Sequence, residues 1–255
     1  MGIEIKIILF DQGNTLRVTK KDPAHQEAAK KNLARIAGTD MPPDEFFTML
    51  DYRYEGYRKW CFDNNLESTE AELFSKWLLP EYPPDFIKQN AIALAYEYRQ
   101  GSGIRLQIPT TEKVIKTLYK RRYRLGIISN LITSEEIPDW LTSAGLRQYF
   151  DPVIVSCVCG LRKPGPEIFQ HAAKEAGIAP ENIAYVGDHI ERDMPGAKTA
   201  GYGYTVLYVT PEKLARRPMT QHNRPDAVIH RQIELLELFP GCPGVNADYS
   251  IPENN

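Results

Sequence analysis

Along this chain, short unbroken apolar runs alternate with stretches of helical periodicity. The first run, Ile7-Ile8-Leu9-Phe10, leads straight into Asp11, and Gly13 and Asn14 then break it. A short apolar run closed by turn residues predicts a strand buried on both faces, as in a parallel sheet. From Pro109 onward the alternation is regular. A helix is predicted over 111–120, a strand over 124–128 ending in Ser129-Asn130, and a helix capped by Ser134 and running to Leu141. A strand over 153–155 and a helix over 167–176 follow, then a strand over 183–186 ending in Gly187-Asp188. A helix over 193–200, a strand over 204–209 and a closing helix over 232–239 complete the pattern. Such alternation implies an α/β fold, a doubly wound, Rossmann-like parallel sheet with helices on both faces.

One long segment departs from this rhythm. Between Leu16 and Ile104 no strand is expected, and the periodicity is helical throughout. Pro23 to Ala37 has Pro in its first turn and Gly38 just past its end, the usual helix boundary residues. Residues 43–65 are rich in aromatics, and Thr69 with Glu72 forms a capping box ahead of Leu73 and Phe74. Pro84 opens a helix whose apolar positions Ile87, Ala91, Leu94, Ala95 and Tyr98 share one face. Gly101-Ser102-Gly103 reads as a flexible joint. The expected organisation is a core domain over 1–17 and 105–240, a helical insertion over 18–104, and a polar tail over 241–255.

Composition narrows the function classes. The 255 residues are 42% hydrophobic and 25% charged, with a formal net charge of −2. That balance supplies no basic field for nucleic acid. No apolar run approaches the roughly 20 residues of a membrane span. Strand residues begin almost at the N-terminus, without a basic segment and long apolar stretch of a leader, so a cytoplasmic location is expected. The four cysteines lack paired zinc spacing, and Cys157 and Cys159 are placed on one strand face. They read as idle thiols in a reducing compartment.

The candidate chemistry lies at the strand ends. Taken singly, Asp11, Ser129-Asn130, Lys163, Asp188 and Asp193 could each be turn, capping or surface residues. Together they all follow core strands, on the sheet edge where open α/β folds hold ligands. A carboxylate nucleophile, a hydroxyl donor, a cation and a pair of acids on one edge suit phosphoryl transfer. An anionic nucleophile attacking a phosphate ester needs cations to offset repulsion. Mg²⁺ suits such an all-oxygen site, with Asp11 and Asp188 as direct ligands and Asp193 direct or one shell out. Lys163 would pair with Asp11 and the phosphate, and Ser129 Oγ would donate to a phosphoryl oxygen. Attack by Asp11 would give an aspartyl-phosphate that water hydrolyses.

Four motifs recur here in order: Phe10-Asp11-x-x-x-Thr15-Leu16; Ile128-Ser129-Asn130; Gly160-x-x-Lys163-Pro164-x-Pro166-x-Ile168-Phe169; and Val186-Gly187-Asp188-x-x-x-x-Asp193-x-x-Gly196-Ala197-x-x-Ala200-Gly201. In these the chain resembles the haloacid dehalogenase-like hydrolase superfamily over its whole length, and Arg224 to Ile229 resembles that family's final strand. The resemblance implies a doubly wound core, a helical cap formed by the insertion, Mg²⁺, and phosphatase-type action on a small phosphate ester. Asn130, Thr15 and Arg17 are the candidate substrate-binding residues, with Arg17 and His189 expected at the mouth of the site. Tyr52, Tyr54, Tyr57, Arg58 and Lys59 are weighed as substrate contacts, although an aromatic-rich helix more often reflects packing. No nucleic acid or membrane partner is expected, and a homodimer is left open.

One position departs from the family pattern. Most family phosphatases carry a second Asp two residues after the nucleophile, where this chain has Gly13. The Gly13 carbonyl can still ligate Mg²⁺, but it cannot transfer a proton, a service typically worth ~10²–10⁴-fold, roughly 3–5 kcal/mol. Asp-x-Gly-Asn also occurs in sugar-phosphatase-like members, so hydrolysis stays the leading expectation. The alternatives are a catalytically weak binding or regulatory relative, a phosphonatase-like enzyme using Lys59 or Lys88 as a Schiff base, and a metal-free dehalogenase. The intact acid pair argues against the last.

Overall fold

The computed structural model describes residues 4–242. Most of the tail expected from Gly241 therefore lies outside the described residues. The centre is a six-stranded parallel sheet in the order β5-β4-β1-β6-β7-β8. Its strands are β1 (Ile7–Phe10), β4 (Arg124–Ser129), β5 (Phe150–Val155), β6 (Ile183–Gly187), β7 (Tyr204–Tyr208) and β8 (Ala227–Ile229). The apolar run of β1 has a direct cause. Ile8 and Phe10 enter one core, against the helices Thr111–Lys120 and Glu136–Ser143. Ile7 and Leu9 enter the other, against Pro166–Ala176 and Met194–Thr199. A strand covered on both faces has no position for a polar side chain until it ends, and the first such position is Asp11.

β1 lies between β4 and β6. From β1 the chain builds one half of the sheet through β4 and β5, then crosses back to build the other through β6, β7 and β8. The order reverses at β1, which opens a crevice at its carboxyl end. Asp11 sits there, its backbone N–H still donating to Val186 O at 2.8 Å.

The segment after Leu16 corrects the expectation that no strand precedes Ile104. β2 (Arg17–Lys20) pairs antiparallel with β3 (Ile104–Gln107) in a two-stranded ribbon. Only one apolar residue, Val18, lies in β2, so alternation had almost nothing to register. Gly103, read as part of a flexible joint, lies in a tight turn at φ +133°, where a Cβ would stand 2.4 Å from Lys20 O. From this ribbon the chain runs into the helices Pro23–Ala37, Pro43–Asn64 and Pro84–Gln100, which share a separate core. The capping box at Thr69 and Glu72 is present. Tyr57 is fully buried and packs on Tyr54, Trp60 and Trp77, while Tyr52 is exposed and Lys59 pairs with Asp63 at the surface.

Two local expectations are also corrected. Ser134 caps no helix: the helix spans Glu136–Ser143, and the Ser134 N–H donates to Glu70 Oε1 of the helical unit. Cys157 and Cys159 share no strand face, because β5 stops at Val155 and Ser156–Cys159 forms one helical turn closed by Gly160 at φ +76°. Two residues apart on a helix point in nearly opposite directions, so Cys157 is buried and Cys159 only partly so.

Candidate active site

Asp11 is 3% exposed, and its two carboxylate oxygens have different surroundings. Oδ1 accepts a 2.6 Å hydrogen bond from Lys163 Nζ. Oδ2 is buried and accepts none. Lys163 is itself completely buried, on the loop ahead of the helix Pro166–Ala176. Its ammonium also donates to Tyr185 Oη at 2.7 Å and Ile128 O at 3.1 Å, and pairs with Asp193 Oδ1 at 2.8 Å. A buried ammonium is tolerated only when its protons all find acceptors, and here they do. The Tyr185 hydroxyl passes the chain on, donating to Asp193 Oδ1.

Asn130 holds the Lys163 backbone from both sides. Its Nδ2 donates to Lys163 O at 2.8 Å, and the Lys163 N–H donates to its Oδ1 at 2.9 Å. The side-chain amide of Asn130 is thereby committed to the loop that carries the lysine. Ser129 is buried at the end of β4, paired in register with Val155.

Asp188 and Asp193 follow β6. The backbone N–H of His189 donates to Asp193 Oδ2 at 3.0 Å. Burial alone would raise the Asp193 carboxyl, but Lys163, Arg192 and the hydrogen bonds outweigh it and hold the value down to about 2. Asp188 goes the other way, pushed up to about 6 by burial and then by its neighbours Asp11 and Asp193. Asn14, in the left-handed conformation at φ 55°, donates its amide to Asp188 Oδ2 at 3.0 Å. Gly187 precedes this pair for a steric reason: a Cβ there would lie 2.6 Å from the Asp193 carboxylate. Oxygens of Asp11, Asp188 and Asp193 lie within 4.8 Å of one another, which makes them a group able to hold a metal ion.

Gly13 is beside Asp11, with ordinary backbone geometry and room for a side chain. A Cβ on it would meet only Asp11 Oδ2, at 3.9 Å. Thr15 is buried, its carbonyl accepting from Gln232 Nε2 while its hydroxyl has no partner. Arg17 stands apart from this group. It is 9% exposed, lies 3.5 Å from Glu136 and faces the Trp140 ring. Glu136 also meets Arg99 and Arg105, so this cationic cluster ties both strands of the ribbon and the end of the helix Pro84–Gln100 to the core. His189 is partly buried, and its Nδ1 accepts from the Arg192 N–H.

Three further residues belong to this region and were not read from the sequence. Tyr185 looked like any apolar strand residue. Arg192 stands four residues after Asp188, and its Nη2 lies 3.0 Å from Asp188 Oδ1 and 3.6 Å from Asp11 Oδ2. Glu67 carries no motif at all, yet it is buried between the helical unit and the core. Its carboxylate accepts from Tyr57, from Ser156 Oγ at 2.9 Å, and from Arg162. Its N–H donates to Gly160 O, and the Arg162 N–H donates to Asn65 O. The loop that delivers Lys163 is thus laced to the helical unit through both backbone and side chains.

Residues 5–201 match the family model described as a haloacid dehalogenase-like hydrolase. The chain is 33% identical over 235 residues to the glyceraldehyde 3-phosphate phosphatase of Methanothermobacter thermautotrophicus, covering 91% of this chain and 98% of that protein. It is 25% identical over 238 residues to the glyceraldehyde 3-phosphate phosphatase of Methanopyrus kandleri, covering 92% and 97%. The fold is shared with a 2-haloacid dehalogenase from Pseudomonas syringae, with a TM-score of 0.65 at 22% identity, covering 92% of this chain and 97% of that one. The match spans β1 to the helix after β6, the stretch that delivers Asp11, Lys163, Asp188 and Asp193 to one crevice. This chain therefore belongs to the haloacid dehalogenase-like hydrolase family.

Proposed function

We infer that this hydrolase is a phosphatase for a small phosphorylated metabolite, with Asp11 as its nucleophile. The observation that carries the reading is the asymmetry of the Asp11 carboxylate. Lys163 anchors Oδ1, which fixes the group's orientation, while Oδ2 is left without a hydrogen bond. An anchored carboxylate with one uncommitted oxygen at a sheet crevice is placed to attack phosphorus.

The donor set fits Mg²⁺: three carboxylates on hard oxygen, one with an orphaned buried atom, and neither sulfur nor imidazole among the converging side chains. Asp11, Asp188 and the Gly13 carbonyl would hold the ion, with Asp193 in direct or outer contact. When bound, it would offset the negative charge of the phosphate. In the reaction, an Asp11 oxygen bonds to phosphorus and the ester P–O bond breaks. Water then attacks the aspartyl-phosphate, releasing inorganic phosphate and restoring the carboxylate. Lys163 balances charge on Asp11 through both steps, Ser129 donates to a phosphoryl oxygen, Asn130 holds the loop that carries Lys163, and the buried Thr15 hydroxyl, which has no partner, is left for the substrate side. The helical unit over 18–104 acts as a cap on the 1–17 and 105–240 core. Four free thiols suit a cytoplasmic setting.

Two relatives spanning nine-tenths of the chain carry the name glyceraldehyde 3-phosphate phosphatase, so that triose phosphate and an aryl phosphate are the substrates to assay. Turnover is expected with Mg²⁺ and is expected to vanish with EDTA. Full turnover in EDTA, or none on either substrate with Mg²⁺ present, would overturn the reading.

A further inference from the structure

Arg192 has no role in the reaction outlined above, yet it makes three charged contacts at the site where Lys163 makes two. A single nitrogen, Nη2, lies 3.0 Å from Asp188 Oδ1, 3.6 Å from Asp11 Oδ2 and 3.7 Å from Asp193 Oδ2. These are the three carboxylates whose oxygens converge within 4.8 Å. Asp11 Oδ2 accepts no hydrogen bond, and the arginine is the cation that faces it, at 3.6 Å.

A cation that touches all three carboxylates stands where an ion shared by them would stand. A guanidinium and a divalent ion would compete for the same lone pairs and repel each other across a few ångströms. Arginine does not escape this by losing its proton, because it stays charged at any working pH. The side chain is 28% exposed, so its route outward is open to solvent.

Resting on the metal reading above, we propose that Arg192 is a built-in counter-cation of the carboxylate triad, and that Mg²⁺ loads by displacing its guanidinium from the site. The exchange has two consequences. Three crowded carboxylates stay neutralised before loading. The apparent metal affinity is also the intrinsic one reduced by the fraction of time Arg192 is swung out.

Two measurements on the whole protein, neither of them turnover, test this. The first is Mg²⁺ binding by calorimetry in phosphate-free buffer for wild type, Arg192→Ala and Arg192→Lys, with the fold of each checked by circular dichroism. Arg192→Ala should bind Mg²⁺ on the order of tenfold tighter or more, as expected if the site is open a tenth of the time or less. Arg192→Lys, which keeps a cation, should bind less tightly than Arg192→Ala. The second uses wild type alone and so is independent of any variant's folding: phenylglyoxal modification of Arg192, followed by peptide mass mapping with and without Mg²⁺. Displacement predicts faster modification with Mg²⁺, whereas a general charge effect would tighten binding in Arg192→Ala with no gain in reactivity. Unchanged or weaker affinity in Arg192→Ala, equal affinity in the two variants, or no increase in labelling would each overturn the exchange. An absence of Mg²⁺ binding in all three proteins would instead overturn the metal reading beneath it.

Discussion

Restoring a carboxylate at position 13 is the most informative perturbation of this site. The missing acid would serve both steps, protonating the departing alkoxide and then taking a proton from the attacking water. An aryl phosphate hardly needs the first service, because phenolate leaves readily, but the second step needs its base whatever the substrate. Wild type should therefore show a burst of nitrophenol close to one equivalent per site, then slow turnover limited by hydrolysis of the aspartyl-phosphate. Gly13→Asp costs little sterically: its φ lies outside the left-handed region, and its Cβ would meet only Asp11 Oδ2, at 3.9 Å. Losing the glycine should itself gain about 0.4–1 kcal/mol through the unfolded chain. Against that, a new carboxylate ~5 Å from Asp11 costs about 3 kcal/mol at an effective dielectric near 20, partly offset by Arg192. The variant should thus be folded and somewhat less stable. Its steady aryl-phosphate rate should rise by up to ~10²-fold, the lower end of general-base contributions, with loss of the burst. Stopped-flow release of nitrophenol measures both phases. A folded Gly13→Asp protein with an unchanged or lower rate, from a wild type without a burst, would refute the reasoning and assign proton transfer to another group.

Three further outcomes follow from the same geometry. Asp11→Asn keeps the shape of the side chain and should reduce turnover to background with circular dichroism unchanged; a tenth of wild-type activity would show that Asp11 is not the nucleophile. Lys163→Met should abolish activity and also lower urea stability by about 3–5 kcal/mol, because Asp11 and Asp193 lose a fully buried partner; a loss under 1 kcal/mol would contradict the pairing. For Asp188, a folded value of about 6 against 3.8 unfolded means the folded chain holds the proton more tightly. Its contribution is full below pH 3.8 and is lost as pH rises through 6, about 3 kcal/mol in all. In EDTA, wild type should therefore lose stability relative to Asp188→Asn between pH 4 and 7, and parallel urea profiles would disprove it.

The sheet and the line of acids at its edge were legible in the amino-acid sequence because their causes are local. A strand buried on both faces must be apolar until it ends, so Ile7 to Phe10 and Ile183 to Val186 announce themselves, and the first polar residue after each lies at the crevice. The helical unit was legible for the same reason: its proline starts, glycine stop and capping box are short-range devices. What tertiary structure alone decided are features whose partners lie far away in the chain. β2 exists because Arg17 to Lys20 can pair with Ile104 to Gln107, across the whole helical unit. Asn130 spends its amide on Lys163, thirty-three residues on, and Glu67 reaches Ser156 and Arg162. Tyr185 and Arg192 lie close to recognised motif residues, yet their roles depend on Lys163 and Asp11 arriving from other strands. Periodicity and capping reveal where a residue sits in its element; which charge meets which in the crevice is set only when the strands are in register and the buried groups must all be paired.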